Sequence, residues 1–192
     1  MLNPLKFVYM SLKELTMQQH NNAERQKFAS ILMSGSIPPI SYLRYLINQH
    51  GCYSALENHI DYTLPDSRLQ RSKYILDDIN ELKTEFNIDT NEILSKSSLN
   101  YVKHVQQNIK NFDDFMAHVY VRYLGDLRGG QMIAKRVPGT GFYYQFDQPD
   151  ELAKIIYNKL HDDMADEAKI VFNYATDLFI EMYDAMIDNK EI

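Results

Sequence analysis

Helix-breaking residues are scarce and unevenly placed, and this constrains the fold more than any other feature of the chain. Only seven glycines and six prolines occur among 192 residues, and five of the glycines fall between Gly125 and Gly141. Because glycine and proline end helices and form the turns between short strands, the long stretches without them favour helices. The sequence therefore predicts an all-α protein, and its length predicts a single domain over residues 1–192.

Charge and composition exclude several classes of protein. The net charge of −6 argues against a nucleic-acid binder, which normally presents a basic surface. No apolar stretch reaches the length of about 18–20 residues that a membrane span needs, and residues 1–12 lack the features of a signal peptide, so we expect no membrane association. Cys52 is the only cysteine, which excludes an internal disulfide and suggests the cytoplasm. No coiled-coil pattern occurs, so we expect a monomer.

Apolar residues at three- and four-residue spacing predict where the helices lie. The predicted helices are Pro4–Met33, Pro39 to just before Pro65, Asp66–Phe86, Thr90–Ile109, Phe112–Val137, Asp150–Asp163 and Asp166–Ile187. Asp89 or Thr90 is the expected cap of the fourth helix, with Glu92 in its first turn. Pro138–Asp147 is predicted to be a loop.

Gly125, Gly129 and Gly130 interrupt the strongest helical pattern in the chain. Each glycine inside a helix costs about 1 kcal/mol relative to alanine. Gly125 and Gly129 are one turn apart, so they leave a strip of backbone without side chains and predict a kink. Close packing against another helix would explain two glycines, and a flat ligand would explain all three. Arg122 and Asp126 have the spacing of an exposed ion pair, which would carry no function.

His20 and Glu24 have the spacing that lets a carboxylate hold one ring nitrogen of a metal-binding histidine. A lone histidine is more often an ordinary surface or core residue, so the spacing alone leaves both interpretations open. No other histidine shows the spacing of a closed zinc site; the others are His50, His59, His104, His118 and His161.

The segment Tyr120–Gln131, YVRYLGDLRGGQ, resembles the distal-helix signature of heme oxygenases, and His20 with Asn22, Ala23 and Glu24 resembles their proximal-ligand segment. The similarity runs without gaps from Lys13 to Glu57 and resumes over Glu167–Phe179. The resemblance implies a helical bundle that holds heme b between a proximal and a kinked distal helix. Heme would be both cofactor and substrate, and dioxygen would open its ring to biliverdin, by default the α isomer, with release of CO and ferrous iron.

The resemblance also implies a role for each matching residue. His20 would be the axial iron ligand, oriented by Glu24. Asp126 would anchor a water that hydrogen-bonds the oxygen intermediate on the iron, with Arg122 and Tyr53 positioning it. The remaining heme contacts would be distal backbone at Gly125, Gly129 and Gly130, propionate contacts at Lys13, Tyr120 and Lys154, and apolar walls at Phe172 and Phe179.

Two departures from the family pattern bear on these roles. Asn158 stands where relatives have an arginine one turn after the residue matching Lys154, which affects propionate anchoring and hence which meso carbon is attacked. Ala175 replaces an asparagine of the distal network, for which Asn173 is a candidate substitute.

The sequence has no flavin or dinucleotide fingerprint, so electrons must come from a partner, and the resemblance implies ferredoxin or a similar soluble donor. A basic rim of Lys6, Lys13, Arg25, Lys27 and Arg128 would steer an acidic ferredoxin, or would simply be a solvated surface. Two alternatives remain at this stage: a heme-binding or heme-sensing protein with little turnover, and a helical scaffold with another small substrate, as in thiaminase-like proteins.

Overall fold

The computed structural model describes residues 11–91 and 93–192, and these residues form helices and loops without a β-strand among them. The helices are α1 (Leu12–Glu24), α2 (Lys27–Ser34), α3 (Pro39–Glu57), α4 (Ser72–Glu85), α5 (Lys96–Asn108), α6 (Phe112–Val119), α7 (Gly125–Ala134), α8 (Pro149–Tyr157) and α9 (Ala165–Asp188). Short 3-10 turns cover Ser67–Leu69, Phe142–Tyr144 and Asp162–Met164, and a π-helical segment covers Tyr120–Leu124. The predicted all-α class is confirmed.

The long C-terminal helix α9 organises the bundle, because α1, α2, α5 and α6 all pack against it. On the far side, α3 packs against α4 and α5. The buried apolar side chains form one continuous cluster across these helices. No helix of the described residues is long and apolar enough to cross a membrane.

The predicted first helix is in fact two helices. A capping box between Ser11 and Glu14 starts α1, and the helix ends at Glu24. The side chain of Gln26 then donates to the Asn22 carbonyl at 2.9 Å while its own backbone is extended, which ends the helix. The part of the prediction before Ser11, from Pro4 onward, lies outside the described residues.

The second and fourth helices are shorter than predicted. Helix α3 ends at Glu57, and Ile60, which lies within the predicted helix, is 93% exposed. Helix α5 starts at Lys96 with Ser95 as its cap, so the prediction of Asp89 or Thr90 was wrong. The cause is tertiary, since Asn48 accepts a hydrogen bond from the Ser95 backbone at 2.8 Å. Glu92 is not among the described residues.

The irregular part of the fifth predicted helix lies before the glycines rather than at them. The π-helical segment Tyr120–Leu124 separates α6 from α7, and π-bulges of this kind are a common cause of bends in α-helices. Beyond it, α7 ends at Ala134 and not at Val137, and α8 ends at Tyr157 and not at Asp163. The π-helical segment and α7 together form a continuous helical wall opposite α1.

Candidate functional site

A cleft lies between α1 and the wall that the π-helical segment and α7 form. It consists of two adjoining cavities of about 280 and 700 Å³. Both cavities are lined by the same central residues, His20, Val121, Gly125, Arg128 and Phe172. Cavities of 300–1,000 Å³ with mostly apolar walls are typical of small-molecule and cofactor sites.

His20 stands on the α1 side of the cleft, close to Glu24. Its Nε2 lies 3.5 Å from Glu24 Oε1. Its Nδ1 is buried and has no hydrogen-bond partner among the described residues. The Phe172 ring meets the imidazole edge-on, with 5.6 Å between centroids, and so fixes the plane of the ring. An imidazole with one nitrogen near a carboxylate and the other without a partner fits a metal-ligating histidine.

Gly125 and Gly129 leave open space on the opposite side of the cleft. A Cβ atom added to either glycine would meet nothing within 4 Å. The absence of side chains there is therefore not required for helix packing, and it leaves room for a flat ligand against the backbone.

Gly130 differs from the other two glycines. A Cβ atom at this position would lie 2.6 Å from Cδ1 of Tyr144. Gly130 is buried and lies outside the cleft lining. The structure thus gives Gly130 a packing role, whereas the resemblance assigned it to the ligand face.

Asp126 lies in the wall of the larger cavity at the centre of a hydrogen-bonded group. The Tyr53 hydroxyl donates to Oδ2, and the Tyr143 hydroxyl donates to Oδ1 at 3.2 Å. Burial raises the pKa of Asp126 to about 7, although the hydrogen bonds from Tyr53 and Tyr143 and the charge of Arg122 oppose this rise. The carboxyl group can therefore take up or release a proton near neutral pH.

Arg122 is buried behind Asp126 and does not form the ion pair that its spacing suggested. Its Nη1 donates to Gln49 Oε1 at 3.0 Å, and its guanidinium lies 3.9 Å from the centroid of the Tyr101 ring. Burial lowers the pKa of Arg122, but nearby groups, of which Tyr101 has the largest effect, keep it above the ordinary value. Arg122 thus places a fixed positive charge behind the carboxyl group.

The residues assigned to heme contacts are only partly brought together. Lys13 and Tyr120 line the smaller cavity, and the Tyr120 hydroxyl lies 3.3 Å from that of Thr16. Phe172 lines both cavities and Phe179 the larger one. Lys154, in contrast, is exposed on α8 and lines neither cavity.

The two departures noted in the sequence also differ in their placement. Ala175 lines the larger cavity, so its small side chain faces the site. Asn173 is exposed and lines neither cavity, which excludes it as a substitute for the missing asparagine. Asn158 is also exposed, at the end of α8.

Sequence reasoning missed Tyr143, Gln49 and Tyr101. Tyr143 comes from the segment predicted to be a loop, where a run of aromatic residues was the only available signal. Its position depends on Asp78, whose carboxylate accepts the backbone N–H groups of Phe142 at 2.7 Å and Tyr143 at 2.8 Å. Gln49 and Tyr101 lie on α3 and α5, where helical periodicity reads them as core.

His104 and His118 lie close together, although their spacing in the sequence does not predict a metal site. Nε2 of His104 and Nε2 of His118 lie 2.5 and 2.9 Å from the same oxygen of Glu167, and the Tyr101 hydroxyl lies 2.8 Å from His118 Nδ1. These residue types occur in metal sites, but the converging atoms are already hydrogen-bonded to one another, and the charge of Arg122 lies beside Tyr101. The cluster joins α5, α6 and α9 outside the cleft.

The predicted basic rim is dispersed. Lys13 and Arg128 line the cleft, whereas Arg25 and Lys27 are exposed outside it. Lys27 lies 4.9 Å from the Tyr183 ring centroid. Lys6 is outside the described residues.

Comparisons with known proteins identify the family and the fold. The heme oxygenase family model matches residues 8–181. The heme oxygenase of Guillardia theta is 27% identical, over 90% of this chain and 85% of the relative, and heme oxygenase 1 of the cyanobacterium Synechocystis is 28% identical, over 92% and 85%. A crystal structure of the Synechocystis heme oxygenase-1 in complex with heme matches the fold with a TM-score of 0.76 at 23% identity, covering 94% of both chains. Because the family match spans most of the chain, the chain belongs to the heme oxygenase family of enzymes.

Proposed function

We propose that the chain binds heme b in this cleft as one heme oxygenase domain spanning residues 1–192 and opens the ring to biliverdin, releasing CO and ferrous iron. Bound heme supplies the iron at which dioxygen reacts and the ring that is oxidised. The observation that carries the proposal is the pairing of His20, with its partnerless ring nitrogen, and the open backbone at Gly125 and Gly129 across one cleft.

His20 would hold the iron, and Glu24 would orient the imidazole. The carboxylate of Glu24 makes the imidazole a stronger ligand when it accepts a ring N–H, and it fixes which nitrogen is protonated. Both residues lie on the same face of α1, one turn apart. Phe172, edge-on to His20, would set the ring plane, and Phe179 would close the apolar wall.

Asp126 would hold and deliver the proton on the opposite side. Its pKa of about 7 places it near the working pH, which is where a proton donor or acceptor is most efficient. Tyr53 and Tyr143 fix its two oxygens, and Arg122 supplies a charge that favours the ionised form. Water bound to this carboxyl group would carry the proton into the cavity, and we propose the α isomer as the product.

Lys13 and Tyr120 would contact a propionate at the smaller cavity, since a lysine ammonium and a phenol both donate to carboxylates. Electrons would come from ferredoxin or a similar soluble donor, and we propose that the enzyme acts as a monomer in the cytoplasm.

Absorbance spectroscopy tests the proposal. The purified protein is mixed with one equivalent of hemin, ferredoxin, ferredoxin reductase and NADPH in air. A sharp Soret band that decays to a biliverdin spectrum, with the α isomer identified by chromatography, is expected for the unmodified protein. Asp126→Ala should retain the Soret band and lose ring opening, whereas the control Asp147→Ala, at an exposed loop position, should behave like the unmodified protein.

Two other outcomes favour the alternatives. A Soret band that persists in the unmodified protein with several reductants would indicate a heme-binding protein without turnover. If hemin gave no complex, or if His20→Ala bound it with an unchanged spectrum, the cleft would not be a heme site, and another substrate would have to be sought.

A further inference from the structure

Arg128 lies in the cleft, although the sequence analysis placed it only in a basic rim and gave it no contact with the bound ligand. It sits on α7 between the cleft-facing backbone of Gly125 and Gly129, and it lines both cavities. Lys13 lies across the smaller cavity on α1. Two cations thus face one opening in a protein whose net charge is −6.

The partner of Arg128 holds it only weakly. Its Nη1 lies 3.2 Å from Oδ1 of Asp150, whose side chain is 94% exposed, while that of Arg128 is 53% exposed. Exposed ion pairs of this kind contribute little to stability because water screens them and both side chains lose freedom. The Tyr157 ring, 5.7 Å from the guanidinium, also lines the smaller cavity and supports the arginine side chain near the opening. A carboxylate entering the cleft can therefore replace Asp150 at small cost.

The cation expected from α8 is missing from this opening. Lys154 is exposed outside the cavities, and Asn158 carries no charge. Arg128 is the cationic side chain that lines the cleft from α7. Its planar guanidinium can donate two parallel hydrogen bonds to one carboxylate, which a lysine ammonium cannot do.

We propose that Arg128 binds one carboxylate of the substrate, releasing Asp150, while Lys13 binds the other. This inference rests on the proposed function, in which the substrate is a porphyrin with two carboxylates. Anchoring from α7 and α1, rather than from α8, then sets the rotation of the ring in the cleft. Arg128 is thus a positioning residue that determines which meso carbon faces the open side.

Equilibrium binding of two ligands tests the proposal in the complete protein. Hemin and hemin dimethyl ester share the iron and the ring, but only hemin carries free carboxylates. Arg128→Met should weaken hemin binding about tenfold and leave binding of the dimethyl ester unchanged, as measured by Soret titration. Lys154→Met, the matched control, should change neither constant. Asp150→Asn should tighten hemin binding, because the competing carboxylate is gone.

Three results would overturn the inference. Arg128→Met could weaken the binding of hemin and of the dimethyl ester equally, which would indicate a packing role. It could leave the affinity for both ligands unchanged, or Lys154→Met rather than Arg128→Met could lose affinity for hemin. In each of these cases the unmodified protein still forms the Soret complex, so the proposed function survives. If the unmodified protein binds neither ligand, the proposed function fails together with the inference.

Discussion

Asp126 should make the protein less stable as the pH rises, and Asp126→Asn should remove this effect. Burial raises the pKa of Asp126 in the folded protein to about 7, whereas the ordinary value is 3.8. Between these two values the folded protein binds more protons at this site than the unfolded chain does. By linkage, the free energy of unfolding therefore falls as pH rises from 3.8 to 7, and above pH 7 the full cost is present.

The size of the effect follows from the difference between the two pKa values. Each pKa unit corresponds to about 1.4 kcal/mol, so a rise of about three units sets a ceiling of about 4 kcal/mol. Between pH 5 and pH 8 the part that is lost comes to about 2–3 kcal/mol. Asparagine keeps the shape but cannot ionise. Its amide oxygen can accept a hydrogen bond from Tyr53 or Tyr143, while loss of the other bond costs about 1 kcal/mol at every pH.

Urea denaturation of the heme-free protein at pH 5, 6, 7 and 8 measures this directly. The free energy of unfolding of Asp126→Asn minus that of the unmodified protein should increase by about 2–3 kcal/mol across the series. Taking the difference removes the pH dependence of all groups that do not couple to Asp126. A difference that stays constant with pH would show that Asp126 is ionised in the folded protein throughout, and the assignment of its proton to the catalytic step would then be wrong.

Two further predictions concern neighbouring features. Gly129→Ala should raise the free energy of unfolding by up to about 1 kcal/mol, because alanine favours the helix and its Cβ meets no other atom. It should also weaken hemin binding, because this Cβ enters open space in the cleft. Gly130→Ala should destabilise the protein, because its Cβ would lie 2.6 Å from Tyr144. Thermal melts with hemin titrations check both, and loss of stability in Gly129→Ala would contradict the assignment. Burial lowers the pKa of His118 to about 4 although Glu167 opposes this, so the unmodified protein should lose stability as pH falls from 6.5 towards 4. In urea denaturation at pH 7 and 5, His118→Gln should lose less stability than the unmodified protein, and an equal loss would refute this.

The fold class and the longest helices could be predicted because they depend on local pattern. Helix α9 was predicted as Asp166–Ile187 and extends over Ala165–Asp188. The prediction was accurate because the acidic residues of the first turn mark the start of the helix and the long amphipathic pattern marks its extent. The errors have two sources. The break after Glu24 is local, because Gln26 has an extended backbone and its side chain donates to the Asn22 carbonyl, which the apolar pattern does not reveal. The start of α5 depends on Asn48, which lies on another helix and cannot be identified from helical spacing.

The residues of the site also differ in whether a local motif identifies them. His20 and the glycines of α7 were identified from sequence because each belongs to a local motif, and the structure places His20, Gly125 and Gly129 around one cleft. Tyr143 and Arg128 could not be assigned in this way. Tyr143 contacts Asp126 from a segment between two helices, where helical spacing gives no information. The role proposed for Arg128 in binding a carboxylate depends on Lys154 lying outside the cavities.

Two carboxylates outside the cleft lining, Glu57 and Asp78, help to explain how the fold tolerates the unfavourable features of the site. Open space beside two helical glycines, a π-helical turn and a carboxyl group with a raised pKa each cost stability. Glu57 accepts hydrogen bonds from the Ser72 backbone at 3.1 Å and the Tyr123 hydroxyl at 3.1 Å, which ties the π-helical segment to α3 and α4. Asp78 holds the turn that carries Tyr143. Because hydrogen bonds to charged groups contribute about 1.5–3 kcal/mol each, these contacts offset the local cost. Those of Asp78 also position Tyr143, whose hydroxyl donates to Asp126. The acidic side chain proposed to handle the proton, Asp126, is thus positioned through Tyr143 by a second acidic side chain, Asp78, which lies outside the cleft lining and accepts two hydrogen bonds from the backbone of the turn.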